Sequence, residues 1–241
     1  ALFWSILGKD TTEPSGELAE AIIKDFETFD NFKEKFGSEY LGVPVFYAHQ
    51  EFEEESRDRP WGTTDALCSI RKIVNCPLVI CNGDDLYGAI AFKKLVAHLL
   101  DKNKDSCATI GYQLSEVLPE EGKVNRGIFQ LDKEGYVLDI VETFNIGKVN
   151  LVEKGLKDGE QCSMNIFGLY PEIVEELHEN LKRFKEEHKV DRKIESLLPV
   201  DLSMLFKEGK IKMKFYETPE KCYGLTNPED EEILRETLKN L

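Results

Sequence analysis

The chain has 241 residues, 41% of them apolar and 32% charged, with 31 Lys and Arg against 46 Asp and Glu for a net charge of −15. That composition allows a buried core and argues against a nucleic-acid coat, which needs clustered basic residues. No apolar run approaches the ~20 residues of a membrane span, so neither nucleic acid nor membrane is expected as a partner.

The first 36 residues differ from the rest. Thr11-Thr12-Glu13-Pro14-Ser15-Gly16 reads as a turn opening a helix. Leu18, Ala21, Ile22 and Phe26 then recur at helical spacing. A second short helix, capped by Thr28 or Asp30, carries Phe32 and Phe36. Residues 1–37 are therefore expected to form a helical hairpin, docked through Leu18, Ile22, Phe26, Phe32 and Phe36.

From Gly42 onward strand and helix patterns alternate. Val43 to Ala48 is strand-like, and the charged run Glu51 to Arg59 reads as a solvated loop. Thr63 to Val74 reads as a helix. Pro77 to Cys81 is a continuous apolar run of the kind found in strands buried on both faces. Helix is expected over Ala89 to Leu100 and strand over Ser106 to Leu114. Gly127 to Leu131 and Tyr136 to Val141 flank Asp132-Lys133-Glu134-Gly135 as a hairpin. A strand over Cys162 to Tyr170 leads into a helix over Pro171 to Lys189, with Pro171 in its first turn. Ile194 to Phe206 reads as helix, Ile211 to Tyr216 as strand, and Pro228 to Leu238 as a closing helix. The expected fold class is α/β, a mostly parallel sheet flanked by helices. Residues 38–241 would form this domain.

The six cysteines show no CxxC spacing and sit mostly in apolar segments, and the four histidines are scattered. Thiols of that kind are small hydrophobes, and the pattern suits a reducing, cytoplasmic setting. No Cys/His cluster suggests zinc. His178 and His188 fall in a Glu- and Lys-rich helix and read as surface.

Three constellations can carry chemistry. The first is Val79-Ile80-Cys81-Asn82-Gly83-Asp84-Asp85-Leu86-Tyr87-Gly88, a buried strand ending in two carboxylates. Ligands of open α/β sheets bind beyond the carboxyl ends of strands, and carboxylates there suit Mg²⁺. Asp84 capping the next helix is the plainer alternative. The second is Gln50 followed by Trp61-Gly62-Thr63. A glycine opening a helix lets a ligand approach the backbone, and a glutamine amide matches a base edge; Gly-Thr also starts many ordinary helices. The third is Arg126-Gly127, Glu142 and Met164-Asn165, each at a strand boundary and each also readable as structural hydrogen bonding.

Together these motifs carry a resemblance. Pro60-Trp61-Gly62-Thr63, the Asn82 to Gly88 turn, Val124-Asn125-Arg126-Gly127, Ser163-Met164-Asn165-Ile166-Phe167-Gly168 and Tyr223-Gly224-Leu225-Thr226-Asn227-Pro228-Glu229-Asp230 occur in order. They resemble the sugar-phosphate nucleotidyltransferase (NDP-sugar pyrophosphorylase) family over about residues 42–241. The resemblance implies a Rossmann-like sheet. It implies a reaction joining a nucleoside triphosphate to a sugar 1-phosphate with release of pyrophosphate and Mg²⁺ as cofactor. It puts Gln50, Gly62 and Thr63 at the nucleotide, and Gly127, Glu142 and Asn165 at the sugar. Asp84 would be the catalytic metal ligand, with Asn227 as a second metal contact. The family's glycine-rich triphosphate loop has no counterpart before Gln50, and no Gly-x-Gly occurs in the chain. Its Glu-Lys-Pro at the sugar phosphate is here Glu142-Thr143-Phe144. The resemblance therefore implies impaired transfer.

Ala1-Leu2-Phe3-Trp4, Glu13-Pro14-Ser15-Gly16-Glu17-Leu18 and Phe29 to Phe36 resemble an inner helical stretch of iron/manganese superoxide dismutase, without its metal ligands. The two resemblances together imply a chimera joined near Gly37-Ser38. An inactive chimera or fold fragment is the alternative to a working transferase.

Overall fold

The computed structural model describes residues 33–224, apart from 35, 41, 49, 54, 84, 102–104, 120–121 and 158. The N-terminal hairpin and the closing helix at Pro228 to Leu238 lie outside the described residues, as do Asp84 and Asn227. Of the five residues expected to dock the hairpin, only Phe36 is described. It is buried and stacks edge-on against Tyr40 at 5.4 Å.

The strands are β1 (Glu39–Tyr40), β2 (Val43–Pro44), β3 (Leu78–Ile80), β4 (Asp85–Leu86), β5 (Cys107–Gln113), β6 (Val124–Leu131), β7 (Val137–Ile146), β8 (Gln161–Leu169), β9 (Met213–Glu217) and β10 (Tyr223–Gly224). The helices are α1 (Thr63–Cys68), α2 (Ala89–Leu100), α3 (Pro171–Glu187) and α4 (Leu198–Lys207). The fold is α/β, a Rossmann-like sheet with helices on both faces, as expected. The sheet is mixed. It runs β7-β6-β8-β5-β9, with β3 also on β8. β5 and β9 pair in parallel, while β8 pairs antiparallel with β3, β5 and β6. Thus β3, β5, β6 and β9 share one direction, and β7 and β8 run against it.

Side chains alternate between the two faces with the period of a strand. Leu78 and Ile80 join Phe167, Leu169, Leu177 and Leu202 on the face covered by α3 and α4. Val79 and Cys81 join Ile110, Ile166 and Leu95 on the face covered by α2. Such two-faced burial is why Leu78–Ile80 reads as an unbroken apolar run.

Four expectations about the elements need correction. Helix α1 ends at Cys68 rather than Val74. Ser69 turns its hydroxyl back to the Ala66 carbonyl at 2.7 Å, competing with the helix, and residues 69–73 continue as turns. Helix α4 starts at Leu198 rather than Ile194, because Pro199 suits a first turn and the Ser196 amide is taken by the Trp61 carbonyl at 2.8 Å. The charged run Glu51 to Arg59 is not solvated throughout. Arg57 is 2% exposed, lies 3.5 Å over the Trp61 ring, and donates to the carbonyls of Arg59, Asp191 and Ile194 at 3.0, 2.8 and 2.5 Å. Strand character over Val43 to Ala48 is confined to β2.

Candidate functional site

The site follows from how β8 is shared. One edge of β8 carries β5. The other carries β6 at Cys162 and β3 at Phe167 to Leu169. Between those two pairings, Ser163 to Ile166 have no strand on that edge among the described residues. The carboxyl end of β3 and the amino end of β6 converge on this seam. A cleft of about 220 Å³ opens there, lined by Thr63, Asn82, Asp85, Asn125, Arg126, Gly127, Glu142, Ser163, Met164, Asn165, Leu197 and Pro199.

Two bulges shape it. Thr109 faces Phe167 but Gly111 faces Ser163, so three residues of β8 oppose Ile110 alone. The bulge places Asn165 at a φ of +58°, a left-handed conformation that asparagine tolerates better than most. Its amide donates to the Ser163 hydroxyl at 3.1 Å. A second bulge lies between Val124 and Arg126 on β6, opposite Asn145, which also has φ +58°. Asn125 Oδ1 accepts the Asn145 amide there at 3.0 Å. Bulges re-aim side chains, and these two flank the cleft on both sides.

Gly127 faces Glu142 across the β6–β7 ladder. A side chain on Gly127 would meet Ile140 Cγ2 at 2.6 Å and come within 3.6 Å of Glu142 Oε2. Close packing of Ile140 therefore calls for glycine at this point of the cleft lining. Partial burial raises the Glu142 carboxyl above its ordinary value, and the Arg126 charge opposes that rise. On the other wall, the buried Tyr87 hydroxyl donates to the Met164 carbonyl at 2.6 Å and accepts the Asn82 amide at 3.0 Å. Asp85 Oδ2 lies 2.9 Å from Asn82 Nδ2 and 3.1 Å from the Tyr87 hydroxyl. These bonds fix the turn after β3 against the bulge of β8.

The structure thus brings Thr63, Gly127, Glu142 and Asn165 to one cleft. Gln50 and Gly62 do not line it. Gln50 Nε2 donates to the Gly62 carbonyl at 2.8 Å and to Asp65 Oδ2 at 2.9 Å, and Asp65 is ion-paired with Lys185 at 2.5 Å. Gly62 is glycine because its φ is +100° and a Cβ would sit 2.4 Å from the Ser196 carbonyl oxygen. Thr63 Oγ1 accepts the Leu198 amide at 2.9 Å. The sequence pointed to the turn Asn82 to Gly88 with Asp84 as its ligand; among the described residues of that turn it is Asn82 and Asp85 that line the cleft.

The polar lining offers carboxylate, amide and hydroxyl oxygens, with no thiol or imidazole. That donor set fits a hard cation such as Mg²⁺ and not zinc. Among the described residues no group of three or more His, Cys, Asp or Glu gathers as a metal cluster. Burial pushes the Cys68, Cys107 and Cys162 thiols up to about 12, so they behave as small hydrophobes. Among the described residues no helix is long and apolar enough to cross a membrane.

No protein-family profile and no curated protein matches the chain. Solved structures match it in fold. CMP:2-keto-3-deoxy-manno-octonic acid synthetase complexed with CTP superposes at a TM-score of 0.55, over 86% of this chain and 76% of its own, with 13% identity. UDP-glucose pyrophosphorylase complexed with UDP-glucose gives 0.52, over 93% and 78%, with 16% identity. HddC from Yersinia pseudotuberculosis complexed with GMP-PN gives 0.46 over 75% of this chain, with 18% identity, and the chain spans 64% of HddC's length. At these identities the likeness is one of fold alone: the chain shares the α/β fold of the synthetase and the pyrophosphorylase.

Proposed function

We propose that the cleft at the β3–β6–β8 seam binds the substrates of a sugar nucleotidyltransferase, a nucleoside triphosphate and a sugar 1-phosphate. The observation that carries this reading is convergence. Gly127, Glu142 and Asn165 come from three strands, and they meet Asp85 and Thr63 on one cleft. Solved structures of the same fold hold CTP and UDP-glucose, which agrees in kind.

On this reading Glu142 accepts hydrogen bonds from sugar hydroxyls, and Asn165 offers its amide across the bulge. Thr63 stands on the nucleotide side, while Gln50 and Gly62 support the α1 entry. By the resemblance Asp84 and Asn227 would hold Mg²⁺, and Asp85, which lines the cleft, could share it. A Mg²⁺ held there would supply neutralisation of charge developing on the phosphates. Positioning and electrostatics supply nearly all the catalysis of phosphoryl-type transfer. No Gly-x-Gly cradle for the triphosphate occurs in the 241 residues. We therefore propose that these 241 residues bind ligand but turn over slowly.

The test is pyrophosphate release from the four nucleoside triphosphates with a panel of hexose 1-phosphates and Mg²⁺, beside calorimetric binding of each. Binding with release near background is expected, and Glu142→Gln should weaken the sugar arm. Rapid release would overturn the impairment, and absence of binding in both arms would overturn the function.

A further inference from the structure

The two outer strands of the sheet, β9 and β7, are guarded differently. β9 has five residues, carries Lys214 and is closed by the β6–β7 turn: Tyr136 bridges Lys214, and the Phe215 amide donates to the Gly135 carbonyl at 3.0 Å. Shortness, lysine and cover are the usual guards of a strand edge. β7 has ten residues with no Lys, Arg or Pro, and among the described residues it pairs with β6 alone. Leu138, Val141 and Phe144 stand along it, and Leu131 of β6 sits beside its start, opposite Val137. Helix α4 continues the strip. Its Ser203 and Lys207 hold Asp139 of β7, Lys207 at 2.8 Å. Val200 and Met204 lie within one turn of them on the same side of the helix. Leu131, Leu138, Val141, Phe144, Val200 and Met204 are each between 37% and 54% exposed.

A residue of this size presents roughly 150–200 Å² when fully exposed, so the six offer roughly 400–500 Å² of apolar surface. A standard interface takes ~800 Å² per partner, a little over half of it apolar, which this strip matches. The net charge of −15 opposes self-association in general. The strip is spared that repulsion, because its two carboxylates are engaged within the chain: Asp139 pairs with Lys207, and Glu142 lines the cleft. We propose that β7 is a homodimer edge, pairing antiparallel with β7 of a second copy across a two-fold axis at Val141. Bulges at both ends leave Asp139 to Thr143 as the regular stretch, and Val141 is its midpoint. In that register Val141 faces its own copy, and Ile140 faces the partner's Glu142. Asp139 faces the partner's Thr143, and Leu138 faces the partner's Phe144. No like charges stand opposite, whereas an axis at Glu142 would set two carboxylates face to face. The isologous contact joins two six-stranded sheets into one and lays both α4 helices on the same face, with Val200 and Met204 toward the axis. The contact does not depend on what the cleft binds.

The test is sedimentation equilibrium of the 241-residue protein from about 1 to 100 μM, beside Val141→Lys and Met204→Glu. Circular dichroism and melting confirm that each variant is folded. The parent should sediment at twice the 27.6 kDa chain mass. Val141→Lys sets two ammonium groups face to face on the axis and should weaken the dimer about a hundredfold or more, and Met204→Glu about tenfold. Val141→Cys oxidised with copper phenanthroline should give a covalent dimer, because residues opposite one another in an antiparallel pair lie ~4.5–5.5 Å apart at Cα, within disulfide reach. Val149→Cys, at a still more exposed position off the strip, should not. A parent that stays monomeric at the highest concentration would overturn the proposal, and shielding of Val141→Cys from a maleimide in that monomer would show the edge covered by the chain itself. A dimer unaffected by Val141→Lys, or one that gives no Val141→Cys cross-link, would place the contact on another face and would equally overturn it. If Val141→Lys does not fold, the cross-linking pair carries the decision.

Discussion

Burial acts on two carboxylates of this protein in different company. Glu142 is raised by partial desolvation and opposed only by the Arg126 charge. Asp201 is raised by desolvation and opposed by hydrogen bonds from Ser196 and Thr64, whose hydroxyls both donate to Oδ2. Glu142 faces a cleft and can be resolvated by a ligand, whereas Asp201 ties α1 to α4 and has no such exchange. The raised value at Asp201 has a sign in stability. Between the ordinary value of 3.8 and its higher value in the fold, the folded state holds the proton more firmly than the unfolded chain. Stability from this group is complete below 3.8 and is lost as pH rises through the folded value. Asp201→Asn removes that titration. The parent's stability relative to Asp201→Asn should fall as pH rises through this window, measured by urea midpoints. A pH-independent difference would show that Asp201 does not titrate in the fold.

Element by element, the cleft depends on a seam far apart in sequence. The 191–198 segment lies against the 57–64 segment, and its Leu197, with Pro199 of α4, forms part of the cleft wall. Gly62 is the closest approach, with a Cβ position 2.4 Å from the Ser196 carbonyl oxygen and 2.9 Å from its nitrogen. Gly62→Ala would bring both a left-handed strain and a backbone clash. A loss of roughly 1–3 kcal/mol is expected from the conformation alone, with more from the displaced segment. Chemical denaturation measures it, and an unchanged midpoint would show that the 195–198 segment gives way freely. The local grammar of these elements was legible in the sequence. Alternating apolar residues marked the β6–β7 hairpin, whose turn Asp132 closes by accepting the Glu134 and Tyr136 amides at 2.8 Å. Pro171 marked the start of α3. Arg57 was not legible, because two of its three carbonyl partners lie more than 130 residues away.

At the scale of the whole molecule, the sheet order creates the site. β8 takes β6 on one half of an edge and β3 on the other, and the cleft is the gap between them. Gly127, Glu142 and Asn165 could be picked out individually, but not for the reason given in the sequence: the expected strand boundaries are absent, and all three lie inside β6, β7 and β8. Their convergence with Asp85, Asn82 and Arg126 could not be read there, because it depends on pairings between residues 34 to 91 positions apart. Gln50 and Gly62 show the converse case: a pattern suited to a ligand that the fold uses to hold its own loops. The central claim is that the seam is a ligand site for a sugar phosphate. Its most direct test is a crystal structure of the protein soaked with the hexose 1-phosphate that binds it best. Density for the sugar is expected between Gly127, Glu142 and Asn165. A seam filled only by water, with the sugar phosphate bound elsewhere on the molecule, would contradict it.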